Sequence, residues 1–149
     1  MKLKKIISGG QTGADLGSLV AASLRGLETG GSAPKGYRTL EGPDFRLRDI
    51  FGLTEHPSPY YPPRTYDNVK NADATIRFAS DFFSPGEKCT LKAIKSCKKP
   101  YLDIDIDDPL SPEEVNDWLM ENKVEVLNVA GNSERTNPGI NHFVVNYPI

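Results

Sequence analysis

The sequence predicts an α/β fold: one domain over residues 1–149, arranged as a three-layer sandwich around a mostly parallel central sheet. Three observations predict it. Short apolar runs of strand length alternate along the chain with segments of helical periodicity. Glycines and small polar residues cluster where strand-like runs give way to helix-like ones. A chain of 149 residues, 38% of them hydrophobic, suits one domain with one core.

The elements follow in order. Residues 3–8 read as a first strand, whose Ile6-Ile7 pair suits a sheet covered on both faces. Residues 12–25 read as a helix, with Leu16, Leu19, Val20 and Leu24 on one face and Gly26 in the left-handed position that ends it. Residues 30–63 are rich in glycine and proline and read as a long loop, a kind of segment that often carries function. A short helix over 64–71 and a strand over 74–79 come next, with Ile76 and Phe78 facing one way and Thr75 and Arg77 the other. Residues 87–98 form a helix with Leu91 and Ile94 inward, and 101–104 a strand. Ser111-Pro112-Glu113-Glu114 is a capping-box start, opening a helix that carries Val115, Trp118, Leu119 and Met120. A strand over 124–129 and a helix over 138–145 close the chain.

The totals exclude several classes. Eighteen basic against twenty acidic residues give a charge of -2, so the chain lacks the net basic surface of a nucleic-acid coat. No apolar run reaches membrane-spanning length, and the apolar part of "MKLKKIIS" is too short for a signal peptide, so a cytoplasmic protein without membrane partners is expected. Cys89 and Cys97 lie eight residues apart on one helix, roughly 12 Å by the rise per residue, which is too far for a disulfide. Only His56 and His142 are present, so no zinc spacing appears, and no metal site is expected. The run Asp103, Asp105, Asp107, Asp108 lacks the glycine and glutamate of a calcium loop.

In a parallel sheet, ligands bind beyond the carboxyl ends of the strands. Four loops therefore matter. Gly9-Gly10-Gln11-Thr12-Gly13 has neither the lysine of a Walker A loop nor the spacing of a dinucleotide fingerprint. It does join flexible backbone to a helix start, whose N–H groups and partial positive charge suit an anion. Asp15 sits in the first turn of that helix, where it can meet a ligand or simply complement the helix dipole. In "ETGGSAPKG", Lys35 stands in a stiff Pro-Lys-Gly corner and is a candidate phosphate contact. "SPGEKCT" offers Ser84, Gly86 and Thr90 at another helix start, and "VAGNSERTNPG" offers Gly131, Asn132, Ser133, Glu134 and Arg135 after a strand. Arg64 and Asn68, one helical turn apart, can reach the pocket or a neighbouring subunit.

The stretches "SGGQTGAD", "GGSAPKG", "YDNVKNADATI" and "LNVAGNSE...NPGI" together resemble, in order and across nearly the whole chain, the motifs of the molybdenum carrier protein family. That family is similar to a wider Rossmann-like group that includes the LOG phosphoribohydrolases and DprA. The resemblance implies a Rossmann-like fold, a phosphorylated nucleotide-like ligand or molybdenum cofactor (or molybdate), and self-association into dimers or tetramers. It implies as ligand residues Gly9, Gly10, Gln11, Thr12, Gly13, Asp15, Lys35, Ser84, Gly86, Thr90, Gly131, Ser133 and Glu134. Two departures stand out. The LOG loop P-G-G-x-G-T-x-x-E corresponds here to "SPGEKCTLKA", with one glycine and Ala93 in the place of the glutamate, which argues against that chemistry. No cysteine precedes Pro34 in "GGSAPKG", which argues against a thiolate holding molybdenum there.

The reading is a non-catalytic carrier. Helix-start N–H groups and Lys35 neutralise phosphate, while Gln11, Asp15 and Glu134 read a polar edge. The alternatives are a hydrolase of an N-glycosidic or phosphate bond, with Asp15 or Glu134 as general acid or base, and a nucleotide sensor.

Overall fold

The computed structural model describes residues 2–149. The chain runs β1 (Lys5–Ile7), α1 (Ala14–Leu24) and β2 (Glu28–Gly30), and then enters a segment of small elements. These are β3 (Ser32–Ala33), a 3-10 turn (Lys35–Tyr37), β4 (Arg38–Thr39), β5 (Gly42–Pro43), α2 (Arg46–Asp49) and β6 (Thr54–Glu55). The second half is regular: α3 (Tyr61–Asn71), β7 (Ala74–Ala79), α4 (Pro85–Cys97), β8 (Tyr101–Asp105), α5 (Pro112–Glu121), β9 (Val126–Gly131) and α6 (Ile140–Asn146). No helix among the described residues is long and apolar enough to cross a membrane.

The main sheet has five strands in the order β2-β1-β9-β7-β8, and every pairing in it is parallel. The last strand of the chain thus occupies the centre, between the first strand and β7. Helices α1, α5 and α6 supply Ala14, Ala22, Val115, Leu119, Ile140 and Val144 to one core, where they meet Ile6, Ile76, Phe78, Ile104, Leu127 and Val129 of the sheet. On the opposite side α3 and α4 contribute Val69, Ala93 and Ile94. Two-residue side-chain alternation sends Thr75, Arg77 and Asn128 away from the first core, and all three are buried. Asn128 Nδ2 donates to Thr75 Oγ1 at 3.2 Å across the register pair Thr75–Asn128. The sheet therefore carries one apolar face and one face with buried polar groups.

Several expectations need correction. The segment 30–63 is not a bare loop: Ala33, Tyr37, Leu47, Phe51 and Leu53 form a second small core against Leu19, with Leu16 and Val20 beside it. It braces α1. Helix α3 opens at Tyr61 rather than Arg64, because Pro62 and Pro63 lack N–H groups only where a helix has no intrahelical use for them. Strand β2 was not expected at all; its three residues are too few to show a period, and Gly30 ends it. Leu24, placed on one face of α1 with Leu16, Leu19 and Val20 by its spacing, is 76% exposed, since it is the last residue of the helix and the small core that covers the other three does not extend to it. Gly26 does follow the helix with φ 74°.

Candidate functional site

The glycine loop after β1 commits several of its backbone donors to protein partners. Gln11 N–H donates to the Asp15 carboxylate at 3.2 Å, Thr12 N–H to Gln11 Oε1 at 2.9 Å, and Ala14 N–H to the Asn132 carbonyl at 3.1 Å. Gln11 Oε1 also accepts from Leu40 N–H at 2.9 Å. Gly13, with φ 89°, lets the loop touch the loop after β9; a Cβ there would lie 2.5 Å from the Asn132 carbonyl oxygen. The glycines thus serve loop-on-loop packing, and Gln11, Thr12 and Ala14 do not keep their amides for an anion. Gly10 packs over Leu47 of α2.

A cavity of about 490 Å³ opens beside this loop, at the carboxyl ends of β1, β9 and β7. That volume suits a small ligand of mononucleotide size. Gln11, Asp15, Ser84, Gly86, Thr90, Gly131 and Ser133 line it, so the segments that follow three strands, β1, β7 and β9, converge there. Helix α4 presents its amino end to the space. Ser84 Oγ caps Glu87 N–H at 3.4 Å. Tyr61 and Leu40 add apolar wall.

Arg64 of α3 supplies the cation. Its side chain is 12% exposed, its guanidinium carbon lies 5.4 Å from the centre of the Tyr61 ring, and its Nη1 is 3.8 Å from Asp15 Oδ2. Buried Nε has no hydrogen-bond partner among the described residues. The guanidinium lies flat over Gly9, where a Cβ would overlap it. A buried guanidinium with an idle donor is costly unless something completes it.

Two carboxyls wall the same cavity. Asp15 is 5% exposed and is pushed up to about 6, first by burial, with Arg64 and the Gln11 amide pulling the other way. Glu87 is 3% exposed and is pushed up to about 7, first by burial and then by the charge of Asp15. Its Oε2 accepts from Asn132 Nδ2 at 3.3 Å, while Oε1 has no partner among the described residues. Behind it, Arg77 makes a two-pronged bond to Asp103, 2.7 Å at each prong, and donates to the Glu87 carbonyl at 3.0 Å. Asn132 is the hub that fixes this wall. It also accepts from Ser80 and Asp81 N–H at 3.1 and 3.3 Å and donates to the Asp81 carbonyl at 2.9 Å.

The other expected residues lie elsewhere. Lys35 is exposed and lines none of this cavity; its backbone N–H donates to Ser58. Gly10, Thr12, Gly13 and Glu134 line a neighbouring, more open cleft with Arg46 and His142. Both Glu134 oxygens are taken, by Gly139 N–H at 2.7 Å and Asn141 N–H at 3.0 Å, so this side chain tethers the start of α6. Arg135 straps the Leu40 carbonyl at 3.0 Å. Asn68 clamps both backbone groups of Ser32 and stays out of the cavity. Sequence reasoning missed Glu87, Tyr61 and Cys89 on the wall. Glu87 stands three residues after Ser84, which reads as a plain capping box; the carboxyl turns inward instead.

Relatives share this architecture. A crystal structure of a protein named putative molybdenum carrier protein, from Syntrophus aciditrophicus SB, is similar with a TM-score of 0.87 and 33% identity, covering 96% of this chain and 90% of that one. No curated protein matches at significant similarity. The profile of the circularly permutated YpsA SLOG family matches residues 6–147. With nearly its whole length matched and its last strand set at the centre of a parallel sheet, the chain belongs to the circularly permutated YpsA SLOG family.

Proposed function

We propose that this protein binds a small phosphorylated, nucleotide-like molecule in the Arg64 cavity and holds it without transforming it. The observation that carries this reading is the nearly buried Arg64 guanidinium, whose Nε is idle, facing the amino end of α4 across the cavity. A tetrahedral oxyanion would take Arg64 on one side and the α4 end, with Ser84 and Gly86, on the other. Tyr61, Leu40 and the aliphatic wall would cover an attached heterocycle. The same donors fit molybdate or the phosphate of molybdenum cofactor, and the name of the Syntrophus relative supports that candidate. Direct ligation of a metal fits less well: no group of three His, Cys, Asp or Glu side chains is placed to hold one among the described residues.

One observation favours a second reading. Asp15 and Glu87, both with raised pKa, wall the cavity, and a carboxyl kept neutral near neutrality can protonate a leaving base. If the protein is a hydrolase, Glu87 and not Glu134 is the general acid, because Glu134 is fully engaged.

Native mass spectrometry of freshly purified protein, followed by calorimetric titration with nucleoside monophosphates and molybdate, tests both. A retained or titratable anion lost in Arg64→Ala supports the carrier; free base or phosphate released from a nucleotide panel supports the hydrolase. Absence of binding by any oxyanion overturns the site.

A further inference from the structure

Resting on that reading of the cavity, we propose that anion binding is coupled to uptake of one proton by Glu87, which meets the ligand as a neutral carboxylic acid donating its O–H to an anion oxygen. Three features of the cavity carry this. First, Glu87 lines the cavity, and its Oε1 is buried and without a partner among the described residues, although Oε2 is held in place by Asn132. A carboxyl whose one oxygen is anchored and whose other is idle is aimed at whatever fills the space. Second, the charges do not balance for an anion. Among the described residues Arg64 is the one cation lining the cavity, while Asp15 and Glu87 both line it. With both carboxyls ionised the wall carries a net negative charge, and an incoming dianion meets repulsion in a poorly solvated space. Protonating Glu87 removes one negative charge and creates a donor where the ligand needs one.

Third, the surrounding groups leave Glu87 as the group that can move. Arg77, from β7, lies closest behind it but is committed to Asp103 of β8 and to the Glu87 carbonyl. Asp15, from α1, is held by the Gln11 amide and faces Arg64 of α3. Asn132, after β9, is neutral. On α4 itself, Cys89 has its thiol pushed up by burial, and Lys88 and Lys92 are exposed. Glu87 is raised to about 7, so the proton exchanges in the physiological range.

The test uses sulfate, which stays a dianion throughout the range, beside AMP and molybdate as probes. Calorimetric titrations run from pH 6 to pH 9, in pairs of buffers that differ in ionisation enthalpy. Affinity is expected to be flat near pH 6 and to fall above pH 7, approaching tenfold per pH unit, with proton uptake per anion rising from about half at pH 7 to close to one above about pH 8. Glu87→Gln keeps a donor and loses the charge, so it is expected to bind with the wild type's low-pH affinity and with no slope above pH 7. Thermal unfolding of the same variant confirms that it folds. Binding with no proton uptake, or an unchanged slope in Glu87→Gln, overturns the coupling while leaving the anion site standing. Failure of all three probes to bind at any pH overturns the anion site itself and this inference with it.

Discussion

The guanidinium of Arg64 occupies the space that a side chain at Gly9 would need. The absence of a Cβ at the end of β1 thus lets a cation from α3, far along the chain, lie against the strand end and face the cavity. Gly9 does not have a positive φ, so alanine fits its backbone, and the group it would displace is the far end of a long side chain. Gly9→Ala is therefore expected to cost about 1 kcal/mol or less in stability. It should still weaken anion binding by about 1.5 to 3 kcal/mol, roughly tenfold to more than a hundredfold, the worth of one charge-assisted bond. Arg64→Ala should give a loss of similar size, and the double variant little more than either alone. Calorimetric titration of the three variants with the same anion, beside urea unfolding, checks this.

Asn132 is expected to be the most costly polar residue of the site to remove. Its side chain satisfies two backbone N–H groups and one carbonyl in the turn after β7 and also holds Glu87. It is 1% exposed, and its bond to buried Glu87 is one that water cannot easily replace, whereas Ser80 and Asp81 lie in an exposed turn. Each orphaned buried group costs about 1 to 3 kcal/mol, and Asn132→Ala should lower stability by on the order of 3 kcal/mol. A fall in the urea midpoint with an unchanged m-value, and faster amide exchange at Ser80 and Asp81, would show it.

Much of this frame was legible in the sequence. Strand β7 and the capping-box start of α5 carry strong local signals: β-branched and aromatic alternation in one, Ser111 and Glu114 closing on each other in the other. The α/β class and the parallel sheet followed from the alternation of elements. The convergence of Gln11, Asp15, Ser84, Gly86, Thr90, Gly131 and Ser133 was legible because all lie at the carboxyl ends of strands, in the loops after them or in the first turns of the helices that follow. What the sequence could not show was competition for donors. Whether the glycine-loop amides are free depends on Asp15 curling back and on Asn132 arriving from the other end of the chain. Whether Lys35 or Arg64 is the cation depends on how residues 30–58 fold against α1, and that packing has no local signature.

Stability should fall as pH rises from about 4, where the unfolded carboxyls ionise, to about 7, where Glu87 ionises in the fold. The folded-state values of Asp15 and Glu87, about 6 and about 7, lie above those of the unfolded chain. In that window the native state binds more protons than the unfolded state, so raising pH favours unfolding. Burial is the first cause for both, and ionising the two costs the fold on the order of 3 kcal/mol each. Glu87→Gln should remove the upper part of the slope, near pH 7, and leave the part near pH 6 to Asp15. Urea unfolding at half-unit pH steps reads both. A stability that is flat over this window in the wild type would show that neither carboxyl is strained.

The Arg77–Asp103 pair links fold and site, and removing one half should disturb both. Arg77 is 2% exposed, and two 2.7 Å bonds join it to a carboxylate that is about a third exposed. Asp103→Ala leaves a buried guanidinium with only the Glu87 carbonyl, which should cost about 3 kcal/mol, the low end for a broken buried pair because water can reach the vacated side. Replacing both residues by leucine should cost less than Asp103→Ala alone, since no uncompensated charge remains. The two residues also act on Glu87 in opposite senses, Asp103 raising its pKa and Arg77 lowering it. With Asp103 gone, the attraction of Arg77 is unopposed and Glu87 should ionise at lower pH. Carbon-13 NMR titration of the Glu87 carboxyl should therefore show a midpoint lower in Asp103→Ala than in the wild type, and the pH at which anion affinity begins to fall should move down with it.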